Sequence, residues 1–270
     1  MKSNNNQYYA LVTGASCGLG KSFAMELAKR GENVLLVSRP NEGLAYLCQR
    51  LKADCDIEAH YFEADLGNKK ELNALTEWVN KKFNVKILIN NAGIGGACKF
   101  ESTSMKFIDE LIDVNIRAMS LLTHQLLPKM RANGKCYILN VASMAAFSPI
   151  GYKSIYPASK SFIYNFSLGL AEELKDDNVS VSVVNPGPMR TNKSVTDRIE
   201  SHGLLTKAGV VPTDIMARVA LNKMFKGKRS IIVGRINYIM YLVLSMLPLK
   251  IKLPMLTQAM KKEVKISPIH

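Results

Sequence analysis

Tyr156 stands four residues before Lys160 in the stretch SMAAFSPIGYKSIYPASK, Ser143 to Lys160. On a helix, side chains four apart lie one above the other on the same face, so this spacing sets a phenol beside an ammonium. A free phenol titrates near about 10, and a neighbouring positive charge lowers that value. Such a phenol can pass a proton to or from a substrate oxygen near neutral pH. Ser143 directly follows the apolar run ending at Val141 and Ala142, where a hydroxyl at the mouth of a buried strand can donate a hydrogen bond to a carbonyl. Pro157 fits a helix start: with Ser154 as N-cap it falls in the first turn, where backbone N–H groups have no intrahelical partner. The helix is then expected to run to about Lys175. A lone tyrosine and lysine at this spacing also occur by chance on solvated helix faces, so the weight of the pair comes from the rest of the chain.

A second constellation lies near the N-terminus. The apolar run Tyr8–Thr13 leads directly into Gly14-Ala15-Ser16-Cys17-Gly18-Leu19-Gly20, and an amphipathic helix follows with Phe23, Leu27 and Ala28 on one face, ending at Gly31. Asn33–Ser38 is the next apolar run. Strand, glycine turn, helix, strand is the βαβ unit that holds a dinucleotide: the glycines permit a tight turn, close approach to a pyrophosphate and close helix packing. The anion then sits at the helix N-terminus, favoured by unpaired N–H groups and the macrodipole.

The elements that must position these groups alternate along the chain. Helical patterns cover Glu42–Ala53, Asn68–Phe83, Met105–Met130, Ser154–Lys175 and Pro212–Phe225. Strand patterns cover Glu58–Glu63, Val85–Ile89, Tyr137–Val141, Val179–Val184 and Ser230–Val233. Val85–Ile89 ends in Asn90-Asn91-Ala92-Gly93, small and polar residues at the strand end where open parallel sheets bind ligands. Asn115 lies within an otherwise apolar helix face, which requires a local reason. After Val184 comes Pro186-Gly187-Pro188-Met189-Arg190-Thr191.

With these motifs in order, the sequence resembles the short-chain dehydrogenase/reductase family from about Tyr9 to Gly234. The resemblance rests on Thr13-Gly14-x3-Gly18-x-Gly20, Asp65, Asn90-Asn91-Ala92-Gly93, Asn115, Ser143, Tyr156-x3-Lys160, and Pro186-Gly187 with Thr191. It implies an α/β, doubly wound Rossmann fold with seven parallel strands flanked by helices. It also implies roles. Tyr156 is the general acid or base, and Lys160 lowers its pKa and holds the nicotinamide ribose. Ser143 polarises the carbonyl, and Asn115 holds a water that links Lys160 to solvent. Around the cofactor, the glycine loop with Ser16, Cys17 and Leu19 meets the phosphates. Asp65 and Leu66 meet the adenine, and Asn91, Ala92 and Gly93 the adenine ribose. Thr191 meets the carboxamide or pyrophosphate, next to the Pro186-Gly187 turn. Cys17 is read as a small neutral filler.

The end of the second strand bears on the choice of nicotinamide. An NAD site usually places a carboxylate there to accept the ribose hydroxyls. This chain has Ser38 and Arg39 instead, a hydroxyl and a guanidinium suited to a 2′-phosphate, so NADP(H) is expected in preference to NAD(H).

Composition bounds the rest. The chain has 270 residues, 47% of them hydrophobic and 21% charged, enough for one large α/β domain. Residues 1–7 read as a frayed tail without an apolar core, 8–234 as the catalytic domain, and 235–270 as an extension. Five cysteines without CxxC spacing and four scattered histidines argue against a disulfide framework or a metal site, and for a reducing, cytoplasmic setting. The net charge is +14, and from Leu221 onward ten Lys or Arg face the single acid Glu263. Within that segment Ile236–Leu249 is nearly all apolar but is cut by Pro248, too short for the roughly 20 residues of a membrane span. Apolar residues flanked by lysines fit a membrane interface or a cover over an oily substrate pocket, and equally a core helix or subunit contact.

The expected activity is NADPH-dependent reduction of a hydrophobic ketone of the long-chain ketoacyl, sphingoid or steroid type, in a homodimer or homotetramer. The competing classes are a reductase of a small polar ketone or sugar, and an idle NADP-binding sensor or scaffold. Nucleic-acid binding ranks lowest, because the basic tail lacks interleaved exposed aromatics. Thr191–Val211 is expected to form the substrate loop.

Overall fold

Strands buried on both faces read as near-continuous apolar runs, and this is how the central strands of the sheet are built. In the computed structural model, which describes residues 7–97, 99–190 and 208–266 with side chains as far as Lys261, seven strands form one parallel sheet. They are β1 (Tyr8–Thr13), β2 (Asn33–Ser38), β3 (Ala59–Glu63), β4 (Asn84–Asn90), β5 (Cys136–Val141), β6 (Val179–Val184) and β7 (Ser230–Ile231). Their order is β3-β2-β1-β4-β5-β6-β7, so the order in which successive strands are added to the sheet reverses between β1 and β4. Such a switch point opens a crevice at the carboxyl ends of the strands.

Side chains alternate across a strand, and the core divides accordingly. Ala10 and Val12 of β1 join one cluster with Phe23 and Leu27 of α1 (Gly18–Lys29), Leu47 and Leu51 of α2 (Leu44–Cys55), and Met216 and Met224 of α7 (Thr213–Phe225). Tyr9 and Leu11 join the opposite cluster with Leu75 of α3 (Lys69–Lys82), Leu122 and Leu126 of α5 (Met119–Ala132), and Ala171 of α6 (Ile155–Glu173). Between α3 and α5 the chain also forms α4 (Met105–Ile112).

Several expected boundaries move, each for a local reason. The helix expected over Glu42–Ala53 begins only at Leu44, because Asn41 and Gly43 adopt left-handed conformations (φ 65° and 79°). The single helix expected from Met105 to Met130 is α4 and α5 joined by a π-helical turn, Asp113–Ala118, which contains Asn115. Ser154 is not a side-chain cap: its backbone is already helical and its hydroxyl makes no cap bond. Pro157 does lie in the first turn of α6, but the helix ends at Glu173 rather than Lys175.

The last strand is two residues long rather than four. The apolar C-terminal run is two helices, α8 (Arg235–Met246) and α9 (Leu249–Ile266), parted at Leu247-Pro248 where proline cannot donate. Among the described residues no helix is long and apolar enough to cross a membrane. Most of the expected tail and of the loop Thr191–Val211 lies outside the described residues, as does Thr191 itself.

Candidate active site

The turn after β1 is locked to the end of β4. The Thr13 hydroxyl donates to Ile89 O (3.3 Å) and accepts from the backbone N–H groups of Asn91 and Ala92, both at 3.0 Å. Asn91 Nδ2 returns the contact, donating to Thr13 O (2.9 Å) and Gly14 O (3.2 Å). The glycines are required by space as well as by conformation. Gly14 has φ 64°, and a Cβ there would lie 2.8 Å from Asn91 Nδ2; a Cβ on Gly20 would lie 2.0 Å from Gly14 O. Helix α1 therefore starts hard against the strand ends, with no acidic side chain in its first turn. Its free N–H groups and close backbone fit a pyrophosphate. Cys17 is exposed and makes no cap bond, and Leu19 is buried in the core, so both offer a ligand chiefly backbone.

The second half of the site forms where α6 meets β5 and the π turn. Lys160 is 4% exposed, and its Nζ donates to Val141 O at 3.0 Å. Burial pulls its pKa from 10.5 to about 8. The Tyr156 ring centroid lies 5.7 Å from Lys160 Nζ and 5.3 Å from Lys153 Nζ. Fully buried Asn115 pairs with the backbone of Ile94 in both directions, accepting from its N–H (2.8 Å) and donating to its carbonyl (2.9 Å). Asn115 Nδ2 also donates to Ser159 Oγ (3.0 Å), whose own hydroxyl donates to Tyr156 O (2.8 Å). A Cβ on Gly93 would lie 3.2 Å from both Asn115 Oδ1 and Lys160 Nζ, so Gly93, Asn115 and Lys160 converge on one small polar space. Wider helical turns of this kind recur at functional sites, and here the turn supplies the inward asparagine.

Ser143 stands at the end of β5 with extended backbone and starts a short 3-10 turn, Met144–Phe147; its Oγ accepts from Ala145 N at 3.1 Å. Asp65 and Leu66 follow β3. The Asp65 carboxylate accepts from Gly67 N (2.8 Å), and Leu66 is buried. Pro186 O accepts from Met144 N (2.9 Å), tying the turn after β6 to the serine's turn.

At the end of β2 the Ser38 hydroxyl is buried and donates to Arg39 O (3.3 Å). Arg39 is exposed to solvent but paired. Its Nε and Nη2 lie 3.0 and 2.9 Å from Glu42 Oε1, while the Ser16 hydroxyl donates to Glu42 Oε2 at 2.7 Å. Burial alone would raise the Glu42 carboxyl, but these donors outweigh it and hold it below the usual value.

Four contributors escaped the sequence reading: Glu42, Gly95, Ser159 and Asn237. A Cβ on Gly95 would come within 2.5 Å of the Tyr156 ring, so the ring rests on bare backbone. Asn237, 2% exposed on α8, donates to Gly209 O (3.0 Å) and Val233 O (2.9 Å) and packs against Gly187. Its only advance signal was a lone amide in a run of apolar residues.

An open, shallow cleft lies beside Tyr156, lined by Phe100, Phe107, Leu111 and Tyr152 together with Thr103 and Lys153. The C-terminal helices pack nearby. Phe147 meets Tyr241 of α8 at a tilt with ring centroids 4.5 Å apart, Gly151 N donates to Thr257 Oγ1 of α9 at 3.1 Å, and Lys261 Nζ of α9 lies 5.9 Å from the ring centroid of the cleft residue Tyr152.

This fold and site define a class, and sequence comparison agrees: the short chain dehydrogenase profile matches residues 8–201. The chain belongs to the short-chain dehydrogenase/reductase family of oxidoreductases. It is 33% identical over 190 residues to a very-long-chain 3-oxoacyl-CoA reductase of Anas platyrhynchos, covering 69% of this chain and 61% of that one. It thus spans less than two thirds of that relative. It is 34% identical to the ketoacyl reductase HetN of Nostoc sp., over 84% of this chain and 78% of the other. A short-chain dehydrogenase from Sphingobium yanoikuyae, solved in complex with NADPH, superposes with a TM-score of 0.76 at 29% identity, covering 84% and 87% of the two chains.

Proposed function

We propose that the protein reduces a ketone on a hydrophobic substrate, of the long-chain ketoacyl, sphingoid or steroid type, or oxidises the matching secondary alcohol, with NADP(H) preferred over NAD(H). The observation that carries this reading is Tyr156 beside the buried Lys160 ammonium, at the edge of a cleft lined by Phe100, Phe107 and Leu111.

In reduction, the Tyr156 hydroxyl donates a proton to the carbonyl oxygen, leaving a phenolate that the Lys160 charge favours. Lys160 also holds the ribose of the cofactor, and Asn115 keeps a water in line to return the proton. Ser143 donates to the same carbonyl and fixes its direction. A nicotinamide bound along the glycine loop, Asp65, Leu66 and Asn91–Gly93, with Thr191 beyond Pro186 and Gly187, supplies the hydride. Ser38 and Arg39 favour the phosphorylated ribose.

Residues 8–234 are read as the catalytic unit and 235–270 as an extension over the cleft. That extension also supports a peripheral membrane contact on the cytoplasmic side. Ile239, Leu242, Val243 and Met246 are exposed at one-face helical spacing on α8, with Lys250 and Lys252 just beyond. Exposed Ile112, Leu121 and Phe162 on α4, α5 and α6 support association with further copies of the chain. A small polar ketone or sugar is the competing substrate, favoured by Thr103 and Lys153 on the cleft.

The test follows NADPH absorbance with ketones of graded chain length. Turnover should rise with chain length. Tyr156→Phe should lower it at least about 100-fold, the lower range for a lost general acid, while NADPH binding stays within about twofold. Wild-type turnover in the Phe variant ends the catalytic reading and leaves an NADP-binding scaffold. Preference for short polyols moves the substrate to the sugar class.

A further inference from the structure

Glu42 has no place in the catalytic scheme, yet its carboxylate is held by the donors expected to receive the cofactor. Ser16 belongs to the glycine loop and Arg39 follows β2, and both aim their polar hydrogens at Glu42, at 2.7 Å from Ser16 and 2.9–3.0 Å from Arg39. Two donors converging on one anion, next to the buried Ser38, form the kind of cradle that a phosphate monoester would occupy. Glu42 is also free of helix α2, which starts two residues later, so its side chain can leave without unwinding a turn.

We propose that Glu42 stands in for the 2′-phosphate in the cofactor-free protein and is a specificity-determining residue. NADP(H) binds by exchanging its phosphate for the carboxylate at Ser16 and Arg39. NAD(H), with a neutral ribose, needs no such exchange. Glu42 therefore lowers the affinity for the phosphorylated cofactor and narrows the preference that Arg39 alone would give. This rests on the NADP reading above and refines it.

The experiment measures dissociation constants of NADPH, NADH, 2′,5′-ADP and 5′-AMP for the wild type, Glu42→Gln, Arg39→Ala and the double variant. Glutamine keeps the length and removes the charge. Glu42→Gln should tighten NADPH and 2′,5′-ADP on the order of fivefold, the scale of one part-exposed carboxylate–guanidinium contact, and leave NADH and 5′-AMP within about twofold. In the Arg39→Ala background the gain should shrink. Thermal midpoints without cofactor check that each variant folds.

If Arg39→Ala weakens NADPH while Glu42→Gln changes nothing, this inference falls and the NADP reading stands. If Glu42→Gln weakens NADH and 5′-AMP, the carboxylate is a ribose-hydroxyl acceptor and the inference is overturned. If Arg39→Ala leaves NADPH untouched, the NADP reading falls, and the inference with it.

Discussion

Lys160 is the residue at which chemistry and stability oppose each other. Its folded pKa, about 8, lies below the ordinary 10.5 because burial penalises the ammonium. Between those values the unfolded chain holds more protons than the folded one, so this group's contribution to stability rises with pH through that window. Below about 8 both states hold the proton and the full cost of burial stands, on the order of 3 kcal/mol. Lys160→Met, which keeps the stem and deletes the charge, should therefore raise the unfolding midpoint of the cofactor-free protein at pH 7. Its advantage over the wild type should narrow toward pH 10, while turnover is lost. A variant less stable than wild type at pH 7, or an advantage indifferent to pH, would show that the ammonium is not under strain. Tyr156 and Lys160 were legible because a helix turns their spacing into adjacency. Glu42 and Asn237 were not, since their partners Ser16 and Gly209 lie 26 and 28 residues away and no local period records such a bond.

At the scale of elements, the strands were legible because burial on both faces leaves apolar runs, as in β1 and β2 where five of six residues are buried. The π turn was not, because Met105–Met130 keeps a helical pattern straight through it. Nor was the start of α2, which backbone conformation at Asn41 and Gly43 sets. Helix α8 serves two purposes that the sequence ran together. Asn237 faces inward against Gly187, while Ile239 and Met246, 57% and 84% exposed, face outward. Deleting everything after Gly234 would thus remove a buried clamp along with the apolar stripe. The cleaner test is Ile239→Ser with Met246→Ser in the full chain. The pair should lose binding to anionic vesicles without lowering the thermal midpoint, and salt should weaken the wild type's binding. Should the wild type ignore such vesicles at low salt, or the pair instead dissociate an oligomer, the stripe is a subunit contact.

For the whole molecule, seven strands in the order β3-β2-β1-β4-β5-β6-β7 place the proposed cofactor cradle between two halves of the chain. Thr13 and Asn91, which join those halves, are 78 residues apart in sequence. Pairing at such separation carries a loop-closure cost before any contact rewards it, so the seam is expected to close late in folding. The cradle then does not exist on the uphill side of the rate-limiting barrier. NADP should accordingly lengthen the lifetime of the native state in denaturant while leaving the refolding rate constant unchanged. A cofactor that instead speeds refolding and spares unfolding would mean that the two halves meet early. The Thr13–Asn91 stitch would then belong to the nucleus rather than to the last step.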